Sequence, residues 1–259
     1  MLGLGSNLAN LNYQQETGFT DNYSVALDGT GDYLDTGATF QSTFRDSFSV
    51  SLWVKVTDGH AGVDAFFGSR NADASDEISL TCKAAGTLML VLEANNDIGI
   101  FESDAEVFAD GTNDWKHIVV TLTHSGSGNA TPVFYVDGST IAATIDNQIA
   151  EDSQDDFTTS DNLYIGGRNT NGSLNLPFTG SINDFAIWSV ALDADAVAAI
   201  YNSGTPTELT EDSGNYHNSS SLVGYWKMEE GTGTTVADSS TNSNTASFAG
   251  DPQWDSSTP

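Results

Sequence analysis

Two kinds of side chain are gathered closely enough in this sequence to do chemistry: carboxylates around a glycine turn, and amides in loops. Asp28-Gly-Thr-Gly-Asp32 sets two carboxylates either side of a glycine-rich turn. Hard cations, calcium above all, take carboxylate and carbonyl oxygens from loops of this kind. The same two aspartates read equally as turn residues whose carboxylates cap nearby backbone N–H groups. Asn95-Asn96-Asp97 and Asn169-Thr-Asn171-Gly172 place amides in loops, and Tyr216 and Trp254 stand in polar stretches as aromatics of the exposed type. Amide hydrogen bonds together with an aromatic face are what a protein uses to grip a sugar. The plainer reading of the same residues is a solvated loop.

Other chemistries find less support. His60, His117, His124 and His217 are scattered, without the short spacing of a zinc site. Glu229 and Glu230 are adjacent, so in a strand they point to opposite faces and make poor partners for acid–base work. No Gly-x-Ser-x-Gly elbow occurs, and Gly166-Gly167 leads into a turn rather than a phosphate-cradling helix. Cys82, the sole cysteine, stands in phase with Ile78 and Leu80 and reads as a small buried hydrophobe. The chain is therefore expected not to be an enzyme. With 36 acids against 7 lysines and arginines it carries a net charge of −29. Phosphate backbones and anionic lipid repel such a chain, which argues against nucleic acid as a partner. Most of the acids read as a solubilising surface. The first residues, MLGLGSNLANLN, have neither a basic flank nor a long apolar core, so neither a signal peptide nor membrane insertion is expected.

Strands must position these loops. Phe48–Val56 sets Phe48, Val50, Leu52, Val54 and Val56 on one face and Ser49, Ser51, Trp53 and Lys55 on the other. That alternation is the pattern of a half-buried antiparallel strand. Similar short runs recur at 23–27, 65–68, 77–83, 87–93, 98–101, 115–123, 133–136, 163–165 and 181–188, separated by turn formers. Many strands at such spacing predict an all-β sandwich or barrel. Asp193 reads as the N-cap of one short helix over 194–202, with Val197, Ile200 and Tyr201 on one face and Gly204 just past its end. Residues 1–22 read as an N-terminal docking arm, 23–205 as the sandwich, and 206–221 as a linker.

Seven segments, in this order, resemble those of laminin-G-like domains in the concanavalin A-like lectin/glucanase superfamily. They are Val25–Leu34, Phe48–Val56, Trp115–Thr121, Phe134–Gly138, Leu163–Arg168, Phe178–Trp188 and the helix with its leading Ala191–Asp195. The resemblance implies a two-sheet antiparallel jelly-roll sandwich. It also implies that the Asp28–Asp32 turn approaches Ile182–Asp184, so that Asp28, Asp32 and Asp184 would offer their oxygens to Ca2+. Glucanases of the superfamily carry a Glu-x-Asp-x-Glu cluster on one strand, and that cluster does not occur here. Leu222–Asn244 resembles the segment that ordinarily opens such a domain, yet it comes last. This order is that of a circularly permuted sandwich in which residues 222–259 complete the fold and Gly224–Met228 pairs with Ser181–Trp188, within the chain or in a neighbouring copy.

Both ends of the chain are also similar to termini of laminin-G-like structural proteins of marine tailed phages. That resemblance implies a non-catalytic virion structural or surface protein, located on the virion and partnered by other virion proteins or by copies of itself. Asn95, Asn96, Asn169 and Asn171 would then meet cell-surface glycans. The alternative is a carbohydrate-binding or adhesion module of a bacterial cell-surface protein, working outside the cell.

Overall fold

The computed structural model describes residues 19–57, 62–109 and 112–259. His60 and most of the expected docking arm lie outside the described residues. In chain order the strands are β1 (Ser24–Asp28), β2 (Tyr33–Asp35), β3 (Phe48–Val56), β4 (Asp64–Arg70), β5 (Glu77–Cys82), β6 (Leu88–Ala94), β7 (Asp97–Ser103), β8 (Lys116–Leu122), β9 (Pro132–Val136) and β10 (Ser139–Ile141). They continue as β11 (Ala143–Asn147), β12 (Tyr164–Ile165), β13 (Arg168–Thr170), β14 (Ser173–Asn175), β15 (Thr179–Trp188), β16 (Leu222–Trp226), β17 (Thr235–Val236), β18 (Ala246–Ala249) and β19 (Gln253–Asp255). Among the described residues there are three short α-helices where the sequence predicts one: α1 (Gln41–Phe44), α2 (Glu151–Gln154) and α3 (Ala194–Tyr201).

The strands form two sheets, and the fold is an all-β sandwich of jelly-roll type. The first sheet runs β10-β9-β8-β3-β15-β1-β19, with β16 also on β15. The second runs β11-β7-β6-β5-β4-β12-β2-β18-β17, with the β13–β14 hairpin laid against β4. Alternation drives the layering. Phe48, Val50, Leu52, Val54 and Val56 of β3 enter one buried cluster with Ile78, Leu80, Leu90, Leu92 and Phe101 of the second sheet.

The other face of β3 is buried as well, which the sequence pattern of Ser49, Ser51 and Trp53 does not suggest. The reason is α3. Asp193 caps it by accepting the N–H of Ala196 at 2.8 Å, and Asn202 ends it in a left-handed turn (φ 45°). Val197 and Ile200 then pack over Val119, Tyr135, Ala186 and Trp188 in a second cluster outside the first sheet. Each such buried aliphatic side chain contributes about 1.5–3 kcal/mol. Leu209 and Tyr216, from the stretch expected to be a linker, belong to the same cluster. Tyr201 stacks over Trp53 and His117, with ring centres 5.8 and 5.9 Å away.

Strand β15 is the centre of the first sheet. β3 pairs with it along one side, and two segments share the other side. β1 takes Thr179–Ile182, and β16 takes Phe185–Trp188 from within the same chain. Trp226 of β16 is fully buried, edge-on to Phe40, and donates its indole N–H to the carbonyl of Asn244 at 2.9 Å.

Two expectations follow. Cutting the chain after Thr210 removes Trp226 from the core, a loss on the scale of 3–5 kcal/mol for a buried aromatic (~, as for Trp→Ala), and bares the backbone of Phe185–Trp188. The truncated protein is expected to aggregate or to bind a hydrophobic dye; a monomeric truncation with unchanged Tm would remove β16 from the fold's support. The second concerns His117, which is buried with Nε2 at 2.8 Å from the Ser51 hydroxyl. Burial pushes its pKa down to about 3, whereas an unfolded histidine titrates near ~6.5. The unfolded chain therefore takes the proton first, so stability is complete above about pH 6.5 and is lost as pH falls toward the folded value. In urea denaturation the wild type should lose stability relative to His117→Gln by up to about 1.4 kcal/mol per pH unit below that point. Parallel curves would show that His117 is protonated without unfolding.

Candidate ligand-binding and metal sites

One end of the second sheet gathers the amide loops. Strand register brings the β4–β5 loop, the β6–β7 turn and the β13–β14 turn to that end, through the pairs Arg70 with Glu77, Ala94 with Asp97, and Thr170 with Arg70. The loops then lock onto one another. Asn71 Nδ2 donates to the carbonyl of Thr158 at 2.6 Å, and the N–H of Asn96 donates to the carbonyl of Ser75 at 3.1 Å. Asn95 Nδ2 reaches Asp156 at 3.4 Å, and the N–H of Asn171 donates to Asp161 at 2.8 Å. Asn95, Asn96 and Asn171 are exposed, and all three sit in left-handed turns (φ 50°, 66° and 53°). Asparagine tolerates that conformation better than most residues.

Asn169 does not share their exposure. It is 3 % exposed, its amide N–H donates to the carbonyl of Asn162 at 2.9 Å, and its Oδ1 accepts from the N–H of Gly172 at 2.8 Å. It holds the turn that presents Asn171 and has no face left for a ligand. The two aromatics expected to stack on sugar are placed otherwise too. Tyr216 is buried against Trp188, accepting its indole N–H and donating to the carbonyl of Leu209. Trp254 is half-buried on β19 in the first sheet, packed on Phe248. One stacked aromatic pair was not read from the sequence. Tyr33 of β2 stacks on Tyr164 of β12 at 4.1 Å, and Asp35, on the same face of β2 as Tyr33, accepts from Asn162 Nδ2 at 3.0 Å.

The metal set expected from sequence is regrouped. Asp28, Asp32 and Asp251 each bring a carboxylate oxygen within 4.8 Å of the others. Asp251 arrives from the β18–β19 turn, its N–H donating to Asp32 at 2.8 Å. Asp184 is elsewhere: Asp28 pairs with Thr179 of β15, so Asp184 lies five residues further along that strand, roughly 16 Å at ~3.3 Å per residue. The turn also caps itself, since Thr30 N–H donates to Asp28 at 2.6 Å and Asp28 N–H to Asp32 at 3.2 Å. The capping reading of this turn is thus realised, and because each carboxylate oxygen has more than one lone pair, the three aspartates could still hold a hard cation. An oxygen-only cluster on an open surface suits calcium rather than a transition metal.

Two carboxylates that no single-strand pattern could reveal meet on the outer face of the second sheet. Glu77 of β5 and Glu93 of β6 are directly opposite each other. Burial, with added charge from Glu77 and Asp76, raises the carboxyl pKa of Glu93 despite the nearby Arg70. Such a pair invites comparison with the two acids of glycoside hydrolysis, but both are buried and Glu77 is held by two arginines. Glu77, 3 % exposed, binds Arg168 at 2.7 Å, Arg70 at 3.0 Å and the Ser79 hydroxyl at 2.6 Å. Glu93 is 8 % exposed. The network braces the sheet and keeps both carboxylates away from solvent. Cys82 is equally inert: burial pushes its thiol pKa up to about 12.

With this geometry in hand, the likeness to known proteins has a definite meaning. No curated protein matches the chain. Among solved structures it is similar to a candidate carbohydrate-binding protein from Bacteroides ovatus, at 17% identity and a TM-score of 0.58, over 92% of this chain and 60% of that one. The chain thus spans less than two thirds of that protein. It is also similar to the CBM40 module of Ruminococcus gnavus IT-sialidase bound to α2,3-sialyllactose, at 17% identity and a TM-score of 0.55, over 69% of this chain and 96% of that one. Leech intramolecular trans-sialidase follows at 17% identity and a TM-score of 0.54, over 72% of this chain and 28% of that one. At these identities the likeness is one of fold. The family model described as the concanavalin A-like lectin/glucanases superfamily matches residues 28–198, more than half of the sequence, and the chain belongs to this laminin-G-type (Laminin_G_3) family.

Proposed function

We propose that the chain is a carbohydrate-binding module that grips glycan at the amide rim of its second sheet, through Asn95, Asn96 and Asn171. The observation that carries this reading is the rim itself: three exposed asparagines in left-handed turns, held by loops that hydrogen-bond to one another. Pre-positioned amides lose little freedom when they bind hydroxyls, which is the main cost of such weak contacts. The structures named above are glycan-binding proteins and sialidases, so they weigh toward a module of a cell-surface or secreted protein rather than a virion component. The rim also carries Asp73, Asp156 and Asp161. Neutral sugars are therefore expected to bind ahead of sialylated ones, because an anionic sugar would meet carboxylates.

We also infer that calcium binds at Asp28, Asp32 and Asp251, at the opposite end of β2 from Asp35 and the rim, as a structural ion.

A glycan array carrying lactose and 3′-sialyllactose tests the first reading. Asn95→Gly, Asn96→Gly and Asn171→Gly keep the left-handed backbone while deleting the amide. Each is expected to weaken binding about two- to tenfold, as for one or two lost hydrogen bonds, with Tm unchanged. Binding unaffected by all three, or no binding to any glycan, would reject the rim. For the ion, calcium should raise Tm over EDTA, and Asp251→Asn should shrink that rise. If Asp251→Asn leaves the rise intact, the ion is not at this turn.

A further inference from the structure

A different set of carboxylates meets where β15 changes neighbours. β1 stops at Ile182, β16 starts at Phe185, and Asp184 between them takes a left-handed step (φ 47°). The chain entering β1 and the chain leaving β16 come together at this step. Glu229, just past β16, takes the N–H groups of Asn22 and Tyr23 on Oε1, both at 3.0 Å. On Oε2 it takes the N–H and the side-chain amide of Asn22, at 2.9 and 3.2 Å. Asp21, one residue earlier, accepts from Asn183 Nδ2 of β15 on Oδ1 at 2.6 Å. Its Oδ2 is buried and meets no N–H or O–H donor. The carboxyls of Asp21 and Glu229 are nonetheless within hydrogen-bond reach of each other.

Two carboxylates cannot hydrogen-bond to each other, since neither has a donor. Their contact needs one proton, and the geometry says which side carries it. Glu229 already accepts on both oxygens, whereas Asp21 Oδ2 meets no donor, so an O–H at Asp21 completes both residues. Burial raises the Asp21 pKa to about 6, the Asn183 amide opposes the rise, and the charge of Glu229 adds to it. The nearby cations are engaged elsewhere. Lys227, after β16, pairs with Glu208, and Lys55 of β3 donates to the Ser257 hydroxyl. From β15, Asp184 also faces Asp21, with its Oδ1 on the Tyr225 hydroxyl of β16, and burial pushes its pKa well above the ordinary carboxyl range. The C-terminal tail brings the uncharged Thr258 hydroxyl, 3.5 Å from the Asp21 carbonyl.

We propose that Asp21 and Glu229 share one proton and form an acid-closed clasp, which fastens the segment entering β1 to β15 and to the chain leaving β16. Loss of the proton leaves two adjacent charges, and the clasp opens. The device is independent of the sugar-binding reading and of the Asp28–Asp32–Asp251 turn. An ordinary aspartate titrates near ~3.9, so between that value and about 6 the closed form holds the proton while the open form has lost it. Closure is therefore fullest below this range, weakens as pH rises across it, and has lost its proton-dependent part above it. Between pH 5 and pH 8 the closed-to-open ratio falls about tenfold.

The test uses the full chain, with aspartate labelled at the side-chain carboxyl carbon for carbon-13 NMR. In the wild type the Asp21 carboxyl is expected to titrate near about pH 6. In Glu229→Gln it should return toward ~3.9, because the glutamine amide donates to the Asp21 carboxylate without a proton. Asp21→Asn mimics the protonated acid, its amide donating to Glu229, and should keep the clasp closed at every pH. Proteinase K cleavage after Tyr23, which is 37 % exposed beside the clasp, reads the opening by mass spectrometry. The wild-type cleavage rate divided by the Asp21→Asn rate cancels the protease's own pH response, and should rise about tenfold from pH 5 to pH 8. An Asp21 carboxyl that titrates in the ordinary range in the wild type overturns the proposal, and that measurement needs no variant to fold. A flat cleavage ratio does the same. So does a raised midpoint that persists in Glu229→Gln, since burial alone would then account for it.

Discussion

The rest of this structure depends on keeping both edges of β15 hydrogen-bonded. The strand is ten residues long and runs through the middle of a sheet that is covered on both faces. Water cannot reach its backbone, and an unpaired buried N–H or carbonyl costs about as much as a lost hydrogen bond. β3 meets one edge. The other edge is longer than β1, whose pairing ends at Ile182, so a second segment must supply the remainder. β16 does so, and it brings Trp226 and Tyr225 with it, one to each face of the sheet. Backbone pairing and core filling are thus the same event at this point, which makes the far C-terminal segment part of the sandwich rather than an appendage.

Covering both faces of the first sheet has a consequence for where polar chemistry can reside. α3 and the stretch carrying Leu209 and Tyr216 take the outer face of that sheet. The outer face of the second sheet is braced by the Arg70–Glu77–Arg168 network. What remains for ligands is the ends, where loops meet. There the strongly acidic composition and the abundance of asparagine and glycine are useful: they satisfy tight turns and leave amides and carboxylates outside. The amide rim and the Asp28–Asp32–Asp251 turn lie toward opposite ends of β2.

The layered β-architecture was legible because alternation is local. Phe48–Val56 announces its inner face within nine residues, and Asp193 with Gly204 brackets the helix. What sequence could not show were the partners brought in by register. Asp251 joins Asp32 from 219 positions away, and nothing near Asp251 marks it as a ligand. Asp184 was grouped with the wrong turn because the extent of β15 between it and Thr179 is invisible without the strand pairing. Asn169 and Asn171 are two residues apart and look alike in sequence, yet one is folded inward as a brace and the other projects. Glu77 and Glu93 face each other only across two strands, so a search along a single strand passes over them. Tyr216 looked exposed because its surroundings are polar, and its burial comes from Trp188 and Leu209, which lie outside that local window.

The circular permutation proposed from the order of segments makes a physical demand that the structure can be held to: the two ends of the sandwich must be neighbours. They are. The Ser24 hydroxyl donates to the carbonyl of Ser257 at 2.8 Å, and β19 pairs with β1. Glu229 reaches back to the backbone of Asn22 and Tyr23. A domain whose opening segment is moved to the end keeps every one of its strand pairings but loses a covalent link where that segment used to enter β1. Something must then hold the freed entry against β15, or the first strand would fray from a central position. The contacts of Asp21 with Asn183 and of Glu229 with the chain before β1 fall at that spot. These carboxylates thus lie at the junction that a permuted order would have to secure.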